Sequence, residues 1–180
     1  AGIGHAGLVG FASAATFTNC TNDIDITISS LCEASKSITS TVGGVVGCVT
    51  DGCALTYITN NGDITYSGTA LNANTYISGV IGKQDDSTLG IKNMDHCTNN
   101  GKVSSTAESA SSADILLAGI TGTITKITPA DKFTHLTNNG AITLGGTAKS
   151  SRAAGLLAFN ANGSYENCNN SGAIIVAKGA

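Results

Sequence analysis

The sequence predicts an all-β protein, a single β-solenoid of about five coils with roughly 35 to 40 residues per coil. Three observations lead to this prediction. A turn motif with the pattern Thr-Asn-Asn-Gly recurs along the 180 residues at spacings of 38, 39, 39 and 32. An apolar motif bounded by glycine alternates with it. Aromatic residues are only 4% and charged residues only 12% of the chain, which leaves too few large side chains for one compact core.

The turn motif has three full copies and two degenerate ones. If successive copies stack, the threonines and first asparagines form columns in which asparagine amides hydrogen-bond from coil to coil. The glycines are expected to supply the positive φ that ends the turn. Ile24 replaces glycine in the first copy, which predicts a turn that is distorted or differently built. The predicted columns are Thr21, Thr59, Thr98 and Thr137; Asn22, Asn60, Asn99, Asn138 and Asn170; and Gly62, Gly101, Gly140 and Gly172.

The apolar motif is a short segment with small residues at its ends, such as Gly-Gly-Val-Val-Gly at 43–47. We interpret it as the first of three strands in each repeat, followed by a loop and by strands that enter and leave the asparagine turn. Asn-Gly is also a hairpin signal, so a chain of antiparallel hairpins is the alternative. The segment before the turn is too short for a matched hairpin. One domain, 1–180, is expected, with coils at about 6–41, 42–76, 77–116, 117–153 and 154–180.

Composition and charge exclude several classes of partner. The net charge of -3 comes from scattered residues without a basic run, so a nucleic-acid partner is not expected. No apolar run approaches the roughly 18 residues of a membrane span. The sequence opens on Ala-Gly-Ile-Gly without an initiator methionine, which suggests a processed piece whose signal peptide has been removed.

The six cysteines show no spacing typical of a zinc site. Cys20, Cys97 and Cys168 occupy one repeat position, where other repeats have isoleucine or leucine, so we expect buried thiols there. Cys48 and Cys53 flank a turn-rich Val-Thr-Asp-Gly segment and are the predicted local disulfide. Cys32 is the competing partner.

The residues also resemble a known family. Ala-Gly-Leu-Val-Gly-Phe at 6–11, followed by Thr-Asn-Cys-Thr-Asn at 18–22, is similar to the GLUG repeat of bacterial surface proteins. The same order returns four times and covers nearly the whole chain, with departures at Ile58, Thr121, Leu136 and Ala158. The resemblance implies a right-handed β-helical stalk of an adhesin-like protein, secreted or on the cell surface. It carries no catalytic residue across.

Candidate ligand sites are few. His96 and His135 share one repeat position and have Asp95 beside them, which would suit a metal ion. The same position holds Asn19, Tyr57 and Asn167 in other repeats and is better interpreted as an outward polar row. The acidic residues Asp51, Asp85 and Asp86 lie in loops without a calcium-binding repeat, so we interpret them as solvated surface. No metal and no cofactor is assigned.

We therefore expect a non-enzymatic protein. The single arginine and scattered lysines form no catalytic cluster with carboxylates. The threonine column is interrupted at Asn169, which argues against ice binding. Neither end has an amphipathic capping helix, so the ends are expected to stack, either on adjoining repeats of a longer chain or head to tail on identical chains. A carbohydrate-binding or polysaccharide-processing role, with host or matrix glycans as partners, is the alternative.

Overall fold

The computed structural model of the chain describes residues 3–29, 39–67, 73–85, 90–108, 113–125, 131–146, 150–160 and 163–177. These residues form a parallel β-solenoid whose strands lie in four sheets, A to D. The described ranges contain strands but no helix, and so no helix that could cross a membrane.

Sheets A and B each contain five strands, one from every successive turn of the chain. Each strand pairs in parallel with the equivalent strand of the next turn. Sheet A consists of β1 (Ile3–Ala6), β5 (Ser40–Gly43), β9 (Thr75–Ser78), β13 (Asp114–Ala118) and β18 (Ser150–Ala154). Sheet B consists of β2 (Val9–Ser13), β6 (Val46–Thr50), β10 (Ile81–Gln84), β14 (Thr121–Ile124) and β19 (Leu157–Asn160).

Sheet C has seven strands because the last two turns each contribute two short strands in place of one long one. It consists of β3 (Thr16–Asn22), β7 (Cys53–Asn60), β11 (Ile91–Asn99), β15 (Lys132–Thr134), β16 (Thr137–Asn138), β20 (Ser164–Glu166) and β21 (Asn169–Asn170). Sheet D consists of β4 (Ile26–Ile28), β8 (Ile64–Tyr66), β12 (Val103–Ser105), β17 (Ile142–Leu144) and β22 (Ile174–Val176).

Two details of the predicted repeat are corrected. Each turn has four strand positions rather than three. The glycine-bounded apolar motif is not a strand but the corner between sheets A and B: β9 ends at Ser78, a bend follows, and β10 begins at Ile81. The motif is apolar because the corner points its third residue into the interior, where Val45, Val80 and Ile120 are fully buried.

The number of enclosed turns is smaller than the five predicted coils. About three turns, within residues 40–144, have a neighbouring turn on both sides. Nearly all fully buried side chains belong to them. Residues 3–29 and 150–177 add strands to all four sheets, but within the described part of the chain each has a neighbouring turn on one side only. We call these two open surfaces the N-terminal face and the C-terminal face.

The interior has two apolar columns separated by a row of close contacts. One column lies between sheets B and C and the other between sheets A and D. Between them, Gly79 of the A–B corner packs on Asn99 of the C–D corner, so closely that a Cβ on Gly79 would lie 2.2 Å from the asparagine Cγ. The same contact joins Gly44 to Asn60 and Gly119 to Asn138. The two sequence motifs therefore meet across the interior of each turn.

The expected role of the turn glycines is wrong. Among the described residues, the glycines with positive φ are Gly52, Gly90 and Gly146, and none of the four turn glycines is among them. Glycine is needed in the turns because the backbones approach closely: a Cβ on Gly101 would lie 2.0 Å from the carbonyl oxygen of Gly62 in the preceding turn.

Ile24 does not distort the first turn in the expected way. The amide of Asn22 donates to the Ile24 carbonyl at 2.9 Å, just as Asn60 donates to the Gly62 carbonyl at 2.8 Å. A side chain is tolerated at this corner because no described turn precedes it. The Ile24 side chain is instead 70% exposed on the N-terminal face.

The predicted disulfide is also corrected, because Cys48 and Cys53 are both free thiols. The side chain of Cys48 lies on the outer side of the solenoid, and that of Cys53 lies in its interior. Cys48 is in register with Phe11, which is 60% exposed on the outer side of sheet B. Cys53 packs in the column between sheets B and C, where its thiol donates to the Thr50 carbonyl at 3.2 Å. The competing partner Cys32 lies outside the described residues.

The shared cysteine position faces the interior. Cys97 is fully buried, and burial raises its pKa to about 12. Cys20 and Cys168, in the first and last turns, are only partly buried.

Candidate functional sites

The first asparagine of each turn motif belongs to an unbroken row of hydrogen bonds inside the solenoid, which we call the inner ladder. Parallel pairing puts these asparagines in register from turn to turn. Each Nδ2 donates to the carbonyl two residues ahead in its own turn and, in every asparagine but Asn170, also to the Oδ1 of the next asparagine. The links between turns run from Asn22 to Asn60, Asn99, Asn138 and Asn170 at 2.7–2.8 Å.

The inner ladder satisfies polar groups that would otherwise be costly to bury. Asn60, Asn99 and Asn138 have no exposed surface. Both amide hydrogens of each are used, one within the turn and one between turns. A buried amide without such partners would cost about 1–3 kcal/mol. The ladder therefore links the turns in one register.

The second asparagine of the motif forms an outer ladder on the surface, which the sequence reasoning missed. Its amides donate in the opposite direction along the axis, from Asn139 to Asn100 and from Asn100 to Asn61, both at 2.8 Å. Asp23 accepts at one end and Ser171 donates at the other. The threonine column Thr21, Thr59, Thr98 and Thr137 is likewise in register, and Asn169 continues it.

At the C-terminal face the apolar interior is open to solvent. A concavity of about 400 Å³ opens there between Leu156, Leu157, Tyr165 and Ile174. The three residues of β22 are 47%, 51% and 58% exposed. Asn170 lies beside the concavity, and its Nδ2 donates to the Gly172 carbonyl at 2.9 Å. In the described residues no further asparagine follows it in the inner ladder.

One corner of sheet C is built from residues in the left-handed region. The φ angle is 50° at His96 and 53 or 54° at the four equivalent residues, Asn19, Tyr57, His135 and Asn167. Such φ values are uncommon for any residue other than glycine, and less so for asparagine and histidine. The corner turns these side chains outward. The ring of His96 stacks on that of His135 with centroids 4.3 Å apart, and it is tilted by 32° against that of Tyr57 at 4.8 Å.

At this corner the structure brings three of the candidate ligands together. One carboxylate oxygen of Asp95 lies 2.9 Å from Nδ1 of His96, and the other lies 3.0 Å from Nδ1 of His135 in the next turn. The hydroxyl of Thr134 donates to the same carboxylate at 2.5 Å. This hydroxyl, and then the two imidazoles, holds the pKa of Asp95 well below its ordinary value.

The acidic residues of the loops do not form a cluster of this kind. Asp85 forms an ion pair with Lys83 at 2.8 Å, and Asp51 accepts from Ser13 at 3.2 Å. Asp86 lies outside the described residues. Among those that are described, the only group of three His, Cys, Asp or Glu side chains close enough to share a metal ion is Asp95, His96 and His135.

A shallow recess of about 160 Å³ lies on the outside of sheets A and B. Asp114 and Arg152 line it together with Tyr76 and Phe159. The Asp114 carboxylate accepts a hydrogen bond from Ser150 at 2.5 Å.

Comparison with known proteins gives no relative. No protein-family profile, curated protein sequence or solved structure matches this chain. Its function therefore has to be argued from its own geometry.

Proposed function

We propose that the chain is a structural β-solenoid of a secreted or cell-surface stalk, in which its right-handed coils are extended at the C-terminal face by a coil of adjoining repeats. The observation that carries the proposal is the apolar concavity on that face, which lies beside the last amide of the inner ladder. On this proposal the protein has no catalytic activity. Its placement at the cell surface and its handedness rest on the resemblance to GLUG repeats.

The C-terminal face has the shape that a further coil needs. In the inner turns, a Cβ on Gly44, Gly79 or Gly119 would lie 2.1–2.2 Å from a carbonyl oxygen of the following turn. Gly155 keeps that position open in the last turn. A further coil would also accept a hydrogen bond from Asn170 and would cover the exposed side chains of β22, burying apolar surface at about 25 cal/mol per Å².

The N-terminal face has a different shape, which favours adjoining repeats over identical chains as the neighbour. At the turn glycines, a Cβ would lie 1.9–2.1 Å from a carbonyl oxygen of the preceding turn. Ile24 occupies this position in the first turn and has a real Cβ. A second copy stacked head to tail in the same geometry would clash with it. Ile24 therefore acts against self-assembly into a filament.

The test is the assembly state of three purified chains, measured by light scattering after size exclusion and by negative-stain electron microscopy. Wild type and Ile24→Val, which keeps the Cβ, are expected to be monomers. Ile24→Gly removes the obstacle and is expected to form end-to-end stacks. Head-to-tail filaments of the wild type would contradict the role given to Ile24. Monomers of all three would contradict the stacking role of the C-terminal face.

Carbohydrate binding is the second candidate, and the recess lined by Asp114 and Arg152 is the observation that favours it. Its two aromatic rings are a weak platform for a sugar, because Lys83 lies 5.4 Å from the Tyr76 centroid and Arg152 lies 5.2 Å from the Phe159 centroid. A glycan array tests it: binding by wild type that Arg152→Ala abolishes would replace the structural proposal with this one.

A further inference from the structure

The corner of sheet C places two imidazoles and one carboxylate from adjacent turns around a common point. His96 and His135 are brought together by parallel register, since Asp95 pairs with Thr134 and Thr98 with Thr137. Their left-handed φ values turn both rings out of the sheet in the same direction, and the rings stack at 4.3 Å. The Asp95 carboxylate lies at the edge of this stack, with one oxygen at each Nδ1 atom.

This set of donors has the chemistry of a zinc site. Zn²⁺ binds imidazole nitrogen at about 2.0–2.1 Å and carboxylate oxygen at about 2.0–2.2 Å, so donor atoms in a tetrahedral site lie roughly 3.4 Å apart. Here the two Asp95–imidazole distances are 2.9 and 3.0 Å, and all three donor atoms lie within 4.8 Å of one another. Because the rings are nearly parallel, with an interplanar angle of 22°, they would rotate out of the stack so that both Nδ1 lone pairs point at the ion.

We propose that Asp95, His96 and His135 bind a divalent transition-metal ion of the zinc type, which ties the third turn of the solenoid to the fourth. The side chains are between 26% and 45% exposed, so the ion can enter from solvent and keep water as its remaining ligand. Partners outside the ligand set orient two of the donors: Thr134 donates to Asp95, and Nδ2 of Asn167 lies 3.4 Å from Nε2 of His135.

The residues equivalent to His96 and His135 in the other turns show which side chains this backbone accepts. In the other turns the same left-handed position holds Asn19, Tyr57 or Asn167, and the residue before it is Thr18, Thr56 or Glu166. No other turn combines a histidine with a carboxylate at the preceding position. The column thus shows that the backbone accepts asparagine or tyrosine in place of either histidine.

This tolerance gives fold-preserving variants. Isothermal titration of the full chain with zinc chloride is expected to show one saturable site. His135→Asn copies Asn167, and His96→Tyr copies Tyr57. Each removes a direct ligand and is expected to weaken zinc binding by more than the roughly 10–100-fold that loss of an outer-shell partner costs. Circular dichroism should show that both variants keep the wild-type fold. Zinc should raise the Tm of wild type and leave that of the variants unchanged.

A cysteine variant separates this site from the thiols. Cys168→Ser is expected to bind zinc as wild type does, because Cys168 lies outside the ligand set. In wild type, the Nδ1 resonances of two imidazoles should shift on zinc addition. The proposal is overturned if wild type shows no saturable binding, if His135→Asn binds as tightly as wild type, or if Cys168→Ser is the variant that loses zinc.

Discussion

The inner turns and the terminal turns are built from the same residues at the same repeat positions, yet they differ in burial. In sheet D, Ile64, Val103 and Ile142 are fully buried, whereas Ile174 in the last turn is 47% exposed. Cys97 is fully buried and its equivalent Cys168 is not. In a solenoid, each turn is covered only by its neighbours. The position of a residue in the stack therefore decides its contribution more than its type does.

The largest difference is expected at the glycine that packs on the inner ladder. In Gly79→Ala the new methyl group would meet the Asn99 side chain and the Gly119 carbonyl, both at 2.2 Å. Because neither the buried amide nor the backbone of the next turn can move away, we expect a loss of about 3 kcal/mol or more in the free energy of unfolding. Urea unfolding followed by circular dichroism measures it.

Gly155→Ala is the matched control in the last turn. Its methyl group would meet Asn170, but no backbone of a following turn lies within reach among the described residues. We expect it to cost clearly less than Gly79→Ala. Equal losses for the two variants would show that the asparagine contact alone requires the glycine, and that enclosure between turns is not the cause.

A smaller difference is expected within the inner ladder. Asn99→Ala removes the amide that donates to Asn138 and Gly101 and the oxygen that accepts from Asn60. It leaves one buried donor, on Asn60, and two buried acceptors, on Asn138 and Gly101, without these partners, which should cost about 2–3 kcal/mol. Asn170→Ala, at the C-terminal face, should cost about 1 kcal/mol because water can reach the exposed groups.

Asn100→Ala distinguishes this explanation from a general effect of losing asparagine. Asn100 belongs to the outer ladder and is exposed, so its removal should cost about 0.5 kcal/mol or less. Chemical denaturation of all three variants provides the comparison. A cost for Asn100→Ala as large as that for Asn99→Ala would contradict the role of burial.

The smallest difference is expected for a single methyl group. Ile142→Val should cost about 1 kcal/mol, because Ile142 has no exposed surface. Ile174→Val should be close to neutral, since half of that side chain is already in water. The Tm of both variants, read by differential scanning calorimetry, tests this. A substantial loss for Ile174→Val would indicate that the C-terminal face is already covered in solution, which would contradict the monomeric state expected of the purified wild type.

The register of the solenoid could be predicted from the sequence because residues one repeat apart lie next to each other in a parallel stack. The threonine and asparagine columns follow directly from residues 38 or 39 positions apart, and so does the pairing of His96 with His135. Asp95 is adjacent to His96 in the sequence, but its contact with both rings depends on side-chain directions at a corner with φ near 50°. No pattern in Asn19, Tyr57 and His96 signals that backbone, since tyrosine rarely adopts it.

The errors come from residues that have two physical uses. Glycine serves either a positive φ or a close backbone approach, and spacing alone does not distinguish them. At Gly101 the close approach applies. An apolar segment such as Val45-Val46 fits a strand and a buried corner equally well. Cys48 and Cys53 are close in sequence, but only the structure shows that one side chain lies on the outer side of the solenoid and the other in its interior.

The opposite directions of the two amide ladders have a consequence for growth of the stack. Side-chain amides in the inner ladder donate toward the C-terminal face, from Asn60 to Asn99, while those in the outer ladder donate toward the N-terminal face, from Asn100 to Asn61. Their dipoles therefore oppose each other turn by turn, unlike the aligned dipoles of an α-helix. Coils can therefore be added without a growing axial field from these amides.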